Sequence, residues 1–200
     1  MAISLQKGQK VNLKKTVSAG LGEILVNLNW NSRPVKKGLF SAFKGNHGID
    51  LDLGCLYELK DGRKGAVQAL GNAFGSFHQP PYIMLDGDDR TGAAAAGENL
   101  RINGDQISMI QRILVYTYIY EGVANWQQAD AVVTIKYPGA EDLIVQMDTY
   151  NSTKIMCGLA LFENINDETF SVEKIIQFYN GHSELDRAFG WGMRWSPGRK

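Results

Sequence analysis

Between Ile49 and Leu59 the odd positions are Ile49, Leu51, Leu53, Cys55, Tyr57 and Leu59, while the even positions open with Asp50, Asp52 and Gly54. Side chains alternate across a strand, so this segment is a strand with one apolar face. A helix would scatter the same residues around its circumference. Asp50 and Asp52 project together from the other face, about 7 Å apart at their Cα atoms from the strand rise. Asp61-Gly62 then marks a tight hairpin turn, and Lys64–Leu70 returns.

The same period recurs along the chain. In Glu23–Trp30 the residues Ile24, Val26, Leu28 and Trp30 share a face. Tyr82–Leu85 is a short strand. Ile113–Tyr120 consists of strand formers without alternation, the pattern of a central strand buried on both faces. Ala131–Tyr137 and Leu143–Met147 flank Pro138-Gly139-Ala140-Glu141-Asp142, which reads as a hairpin loop. Ile155–Phe162 and Phe170–Tyr179 form a further antiparallel pair. Helices are few and short: Gly104–Arg112 and Ser183–Phe189. Phe189, Trp191, Met193 and Trp195 alternate and predict a terminal strand packed on the core. About nine strands with turn signals every 8–12 residues predict an all-β fold, a two-sheet antiparallel β-sandwich. Residues 31–47 and 71–81 are long loops, and strand patterning resumes after each, so residues 1–200 read as a single domain.

Two hundred residues suffice to bury roughly 70% of the unfolded surface without disulfides or metals as staples. The formal net charge of zero hides an asymmetry: residues 1–47 hold eight basic side chains against Glu23 alone. Such a stretch suits a polyanion or membrane surface, or simply a solvated strand and loop. Cys55 and Cys157 lie in apolar runs, as small buried hydrophobes do. No secretory h-region and no run of about 20 apolar residues is present. The expectation is a cytoplasmic location, with the inner face of the membrane as an alternative.

Acidic residues gather a second time at Asp86-Gly87-Asp88-Asp89-Arg90-Thr91-Gly92, followed after an alanine run by Gly97-Glu98-Asn99, which could close the loop. Clustered carboxylates repel one another, and a hard cation such as Ca²⁺ offsets this through carboxylate, amide and carbonyl oxygens. An EF-hand does not fit: counted from Asp86, the twelfth position is Gly97 where a bidentate Glu is required. Ligands pooled from separate segments, with Asp50 and Asp52 as one wall, would make a different kind of site. A solvated loop in which Asp and Gly only make turns accounts for the same residues. No nucleophile elbow appears, and neither cysteine has a base nearby in sequence. His47, His78 and His182 are scattered without ligand spacing and read as surface or loop residues.

Ile49-Asp50-Leu51-Asp52-Leu53-Gly54-Cys55 resembles the D-[LI]-D strand of the TerD-type tellurium-resistance and stress-protein family. Gly87-Asp88-Asp89-Arg90-Thr91-Gly92 with Gly97-Glu98-Asn99-Leu100-Arg101-Ile102 is similar to that family's G-D-N-L-T-G loop and the acidic stretch after it. Tyr120–Trp126 and Arg187–Trp195 resemble the TerA branch in particular. The resemblance implies a β-sandwich that binds Ca²⁺ between loops at one end, in a bacterial stress response. It carries over Asp50, Asp52, Asp88 and Glu98 as ligands, with Asp86, Asp89 and Asn99 as further candidates. One departure stands out. Ala93–Ala96 replace much of the acidic run, which implies a weaker site or a single ion where relatives hold two. The expected function is a non-enzymatic calcium-binding scaffold, with no catalytic residues, no small-molecule substrate and no nucleic-acid partner. Other stress or tellurium-resistance proteins are its expected partners. A calcium-dependent membrane-docking module, aided by the basic first 47 residues, is a second reading, and an enzyme using the acidic cleft is a third.

Overall fold

In the computed structural model, residues 2–15, 20–31, 49–86, 97–121, 125–151 and 153–198 are described. Along the chain run β1 (Ala2–Ser4), β2 (Lys10–Asn12), β3 (Glu23–Asn29), β4 (Asp50–Leu59), β5 (Lys64–Gln68), β6 (Gly75–Ser76), β7 (Ile83–Leu85) and β8 (Glu98–Asn103). They are followed by β9 (Ile110–Glu121), α1 (Trp126–Ala129), β10 (Val132–Lys136), β11 (Asp142–Gln146), β12 (Met156–Ile165), β13 (Thr169–Tyr179) and α2 (His182–Ala188). One sheet has the order β1-β11-β10-β3-β8-β7-β6 and the other β2-β13-β12-β9-β4-β5. The β1–β11 pairing is parallel, and the other described pairings are antiparallel. This is the two-sheet sandwich that the alternation predicts.

The inner faces are the apolar stripes of the sequence. Ile24, Val26 and Leu28 of β3 and Leu100 and Ile102 of β8 share one buried core with Leu51, Leu53 and Cys55 of β4 and Ile113 and Val115 of β9. Truncating one such leucine to alanine removes contacts that the rigid sheets cannot replace, at about 2–5 kcal/mol. Strand β9 is flanked by β12 and β4 and buried on both faces, as its unbroken run of strand formers requires. Cys55 and Cys157 are free and buried, and burial pushes both thiols up.

The outer face of the six-stranded sheet carries a second core: Leu56 of β4, Leu114, Tyr116 and Tyr118 of β9, Leu185 of α2 and Trp191. Here the expected terminal strand is corrected. Trp191–Trp195 does pack onto the sheet, but as irregular backbone. Gly190 and Gly192 adopt positive φ, 63° and 74°, which breaks an extended strand. The backbone N–H groups of Gly192 and Met193 donate to the Asp186 carboxylate at 2.9 and 3.0 Å instead of to a neighbouring strand.

Two further expectations change. Gly104–Met109 is a 3-10 turn, and from Ile110 the chain is already β9, because Ile110–Tyr120 is too rich in β-branched and aromatic residues to remain helical. Glu98 and Asn99 open strand β8 rather than closing a loop, since Leu100 and Ile102 need the inner face. The 71–81 loop contains β6, and residues 32–47 of the other long loop lie outside the described residues. Among the described residues no helix is long and apolar enough to cross a membrane.

Candidate metal centre

Strand β5 pairs with β4 only from Gly54 to Glu58. The opening residues of β4, Asp50–Leu53, therefore extend past the end of β5 while remaining paired to β9 on the other side. The Trp30 indole N–H anchors the entry to this stretch by donating to the Ile49 carbonyl at 3.0 Å. Along the extended part, Asp50 and Asp52 share the face that Leu56 and Tyr118 occupy, opposite to the Leu51 and Leu53 side.

This face is not the solvated one that an alternating strand suggests. Asp50 is 9% exposed, Asp52 is fully buried, and Glu98 is 2% exposed. Glu98 belongs to β8 of the facing sheet, yet its Oε2 accepts the Leu53 backbone N–H at 2.6 Å. The carboxylate thus caps an amide on the uncovered edge of β4 and ties the two sheets together. Its position depends on the residue before it. Gly97 has φ +65°, and a Cβ there would lie 2.1 Å from the Leu28 carbonyl oxygen. Glycine is the residue that fits both constraints.

Tyr118 sits directly across the β4–β9 ladder from Asp52. Burial pushes its phenol far up, and the negative charges of Asp52 and Glu98 push it further. Asp52 and Glu98 therefore act on a common neighbour although they come from different sheets. Keeping carboxylates ionised away from water costs several kcal/mol each unless charge and hydrogen bonds offset it. Oxygen donors of this kind match a hard divalent cation.

The other acidic candidates divide. Asp86 and Asn99 lie on the outer face of the seven-stranded sheet. Asp86 accepts from Arg101 Nε at 2.5 Å, and Arg101 also pairs with Glu23. Asn99 accepts from Asn27 Nδ2 at 2.8 Å. Strand alternation in β8 places Glu98 inward and Asn99 outward, so these adjacent residues serve different faces. Asp88 and Asp89 lie outside the described residues, in the 87–96 segment between β7 and β8. Among the described residues, no group of three or more His, Cys, Asp and Glu side chains forms a metal-holding set.

The TerD domain family model matches residues 1–158. The chain belongs to the TerD family. It is 43% identical over 203 residues to the tellurium resistance protein TerA of an Alcaligenes species, covering 99% of this chain and 60% of that protein. It is also 29% identical over 130 residues to the stress response protein SCP2 of Bacillus subtilis (strain 168), covering 64% of this chain and 65% of the relative. The chain thus spans 60% and 65% of the length of these two relatives. A solved structure, that of a homologue of the telluride resistance protein TerD from Streptomyces coelicolor A3(2), is 17% identical with a TM-score of 0.56 over 84% of this chain and 95% of that one. At that identity the likeness is one of fold. Together these comparisons place the TerD-family chain in a tellurium-resistance and stress-response family. The second core's Leu185 and Trp191 lie beyond the residues that the TerD domain matches but within the similarity to TerA.

Around that second core is a polar group that sequence reading passed over. Tyr116 donates its hydroxyl to Gln68 Oε1 at 2.6 Å, and His182 Nε2 lies 2.7 Å from the same oxygen. His182 packs against the Tyr116 and Tyr118 rings at 5.4 Å each and against Trp195 at 4.7 Å. Burial lowers its pKa to about 4, so the ring is neutral near pH 7. It is not the scattered loop histidine that spacing suggests. Its partners lie 64 to 114 positions upstream or at Trp195, and no local motif marks them.

Proposed function

We propose that this TerD-family chain is a non-enzymatic calcium-binding module acting in a tellurium-resistance or stress response. Asp50, Asp52 and Glu98, which do not form a metal-holding set on their own, would share the ion with Asp88 and Asp89 of the 87–96 segment. The observation that supports this most is the burial of Asp50, Asp52 and Glu98 at one sheet edge, two of them within electrostatic reach of Tyr118. A divalent cation with oxygen coordination is one partner that holds carboxylates ionised in so little water.

Calcium takes six to eight oxygens in flexible geometry, which suits donors drawn from a strand, a facing strand and an intervening segment. Magnesium demands compact octahedral geometry and retains water. Replacement of the acidic run by Ala93–Ala96 lowers the charge available, which favours a single ion. When bound, the ion would brace the β4 edge against β8 and present a surface for protein partners of the same response.

Melting curves of chelator-treated protein test this. Calcium should raise the melting temperature, and magnesium at equal concentration should not. Saturation at 100 times the dissociation constant corresponds to about 2.7 kcal/mol. The Asp50→Asn, Asp52→Asn double variant should melt at one temperature with or without calcium. Identical wild-type curves in excess calcium and in chelator would remove the proposal.

A further inference from the structure

Arg187 and Trp195 bound a stretch of sequence that the calcium reading leaves without a role. Both line a cavity of about 700 Å³ between α2 and the C-terminal arm, residues 189–198. A smaller hollow of about 430 Å³ adjoins it and shares Ser183, Arg187 and Trp195 as its wall. Small-molecule sites span roughly 300–1,000 Å³ and are largely pre-formed. The walls here are fixed. Trp191 donates its indole N–H to the Tyr57 carbonyl at 3.1 Å, Lys64 Nζ donates to the Trp191 carbonyl at 3.0 Å, and the Arg112 guanidinium lies 3.9 Å over the Trp191 ring. The Asp186 carboxylate accepts from Gly192, Met193 and the Trp195 indole.

Side chains in the cavity wall have binding capacity that the fold does not use. Arg187 is exposed and makes no ion pair among the described residues. Its acidic neighbours are already engaged, Glu184 by Lys154 and Asn180, and Asp186 by the arm. His182 supplies an acceptor. Gln68 Oε1 can only accept, so His182 Nε2, 2.7 Å away, carries the proton. The ring is neutral near pH 7, which leaves Nδ1 with a free lone pair. His182 and Trp195, 4.7 Å apart and 34° from parallel, also form an aromatic wall against which a planar ring packs well.

We propose that this cavity is a ligand site for a small heteroaromatic anion, a planar ring that bears an N–H donor and carries a phosphate or carboxylate. Arg187 meets the anionic group, since its fork of donors matches phosphate and carboxylate alike. Trp195 and His182 take the ring, and His182 Nδ1 accepts the ring's N–H. An inorganic anion uses only the first of these contacts and an uncharged ring only the others, so the combined ligand binds tightest. The cavity lies beyond residues 1–158, which the TerD domain matches, and within the similarity to TerA. Binding there is an activity added to the TerD domain and independent of the calcium site.

Calorimetric titration of the whole chain with adenosine monophosphate, orotate, inorganic phosphate and adenosine tests this. Adenosine monophosphate carries the phosphate form of the ligand and orotate the carboxylate form. At least one of the two should bind, at least about tenfold more tightly than inorganic phosphate or adenosine. Tryptophan emission should change over the same titration, because Trp195 lines the cavity. Arg187→Gln should weaken that binding at least about tenfold, the effect of losing a charge-assisted pair. The melting temperature of the variant should match wild type, because Arg187 is exposed and unpaired among the described residues. Failure of both adenosine monophosphate and orotate to bind overturns the proposal. So does inorganic phosphate or adenosine binding as tightly as they do, and so does an affinity that Arg187→Gln leaves unchanged.

Discussion

The backbone N–H of Leu53 in one sheet donates to the Glu98 carboxylate of the other at 2.6 Å. This bond joins the first acidic strand to the residue that follows the second acidic segment. It turns two distant pieces of sequence into one edge of the sandwich. Replacing Glu98 with alanine should leave the Leu53 amide buried and unpaired. The expected loss is about 1–3 kcal/mol, the desolvation penalty of an unsatisfied donor. Urea unfolding measures it, and Glu98→Gln should recover much of the stability while still losing calcium.

Asp52→Asn should have two effects of opposite sign. Exchanging a buried carboxylate for a neutral amide of the same shape removes the cost of burying a charge, so the cation-free protein should gain about 1 kcal/mol. The calcium-induced rise in melting temperature should disappear in the same variant. Melting curves in chelator and in calcium read both effects, and a cation-free form weakened by several degrees would contradict the first.

Gly97→Ala should damage the fold through geometry alone. Its φ is +65°, and the new Cβ would meet the Leu28 carbonyl oxygen at 2.1 Å. Left-handed strain alone costs about 1–2 kcal/mol, and the backbone shift adds to it. Because Glu98 is the next residue, the Leu53 contact should loosen as well. Amide exchange of Leu53 would show faster opening than in wild type.

Acid should weaken the docking of α2 through His182. Its folded pKa of about 4 lies below the ordinary value near 6.5. The unfolded chain therefore takes up a proton first as pH falls. Stability from the neutral ring is complete above about pH 6.5 and is lost progressively down to about pH 4. Between pH 7 and pH 5 this amounts to about 1–2 kcal/mol. His182→Gln should flatten that part of the profile, which denaturant titrations at several pH values would reveal.

Asp186→Ala removes a carboxylate that accepts from Gly192, Met193 and the Trp195 indole. Hydrogen bonds to a charged group contribute about 1.5–3 kcal/mol each, and such clustered bonds do not add fully. The expected loss is about 2–4 kcal/mol, with a red shift in tryptophan emission as Trp191 and Trp195 meet water.

Much of the sandwich was legible because its strands alternate. Ile49–Leu59 and Glu23–Asn29 carry their inner faces in plain period two, while a bulge at Gly158–Ala160 interrupts the period in β12. Ile113–Tyr120 was legible as a central strand because both of its faces are apolar. The C-terminal arm was half legible. Phe189, Trp191, Met193 and Trp195 do pack on a sheet, but Gly190 and Gly192 turn the backbone, and Asp186 takes its donors. Periodicity in side chains does not specify which group accepts the backbone hydrogen bonds. The acidic residues were visible as clusters, while their faces were not. Asp86 and Asn99 go to the outer surface because Leu100 and Ile102 fix the phase of β8, a consequence of strand register rather than of composition. Tyr118 gave no signal at all, since its importance comes only from standing opposite Asp52.

A crystal structure grown in calcium is the most direct test of the central idea. Ion density is expected about 2.3–2.6 Å from carboxylate oxygens of Asp52 and Glu98, with Asp50 and the 87–96 segment completing the shell. Calcium bound elsewhere, or an ion-free β4 edge with Asp52 and Glu98 neutralised by protonation or by a basic side chain, would contradict it.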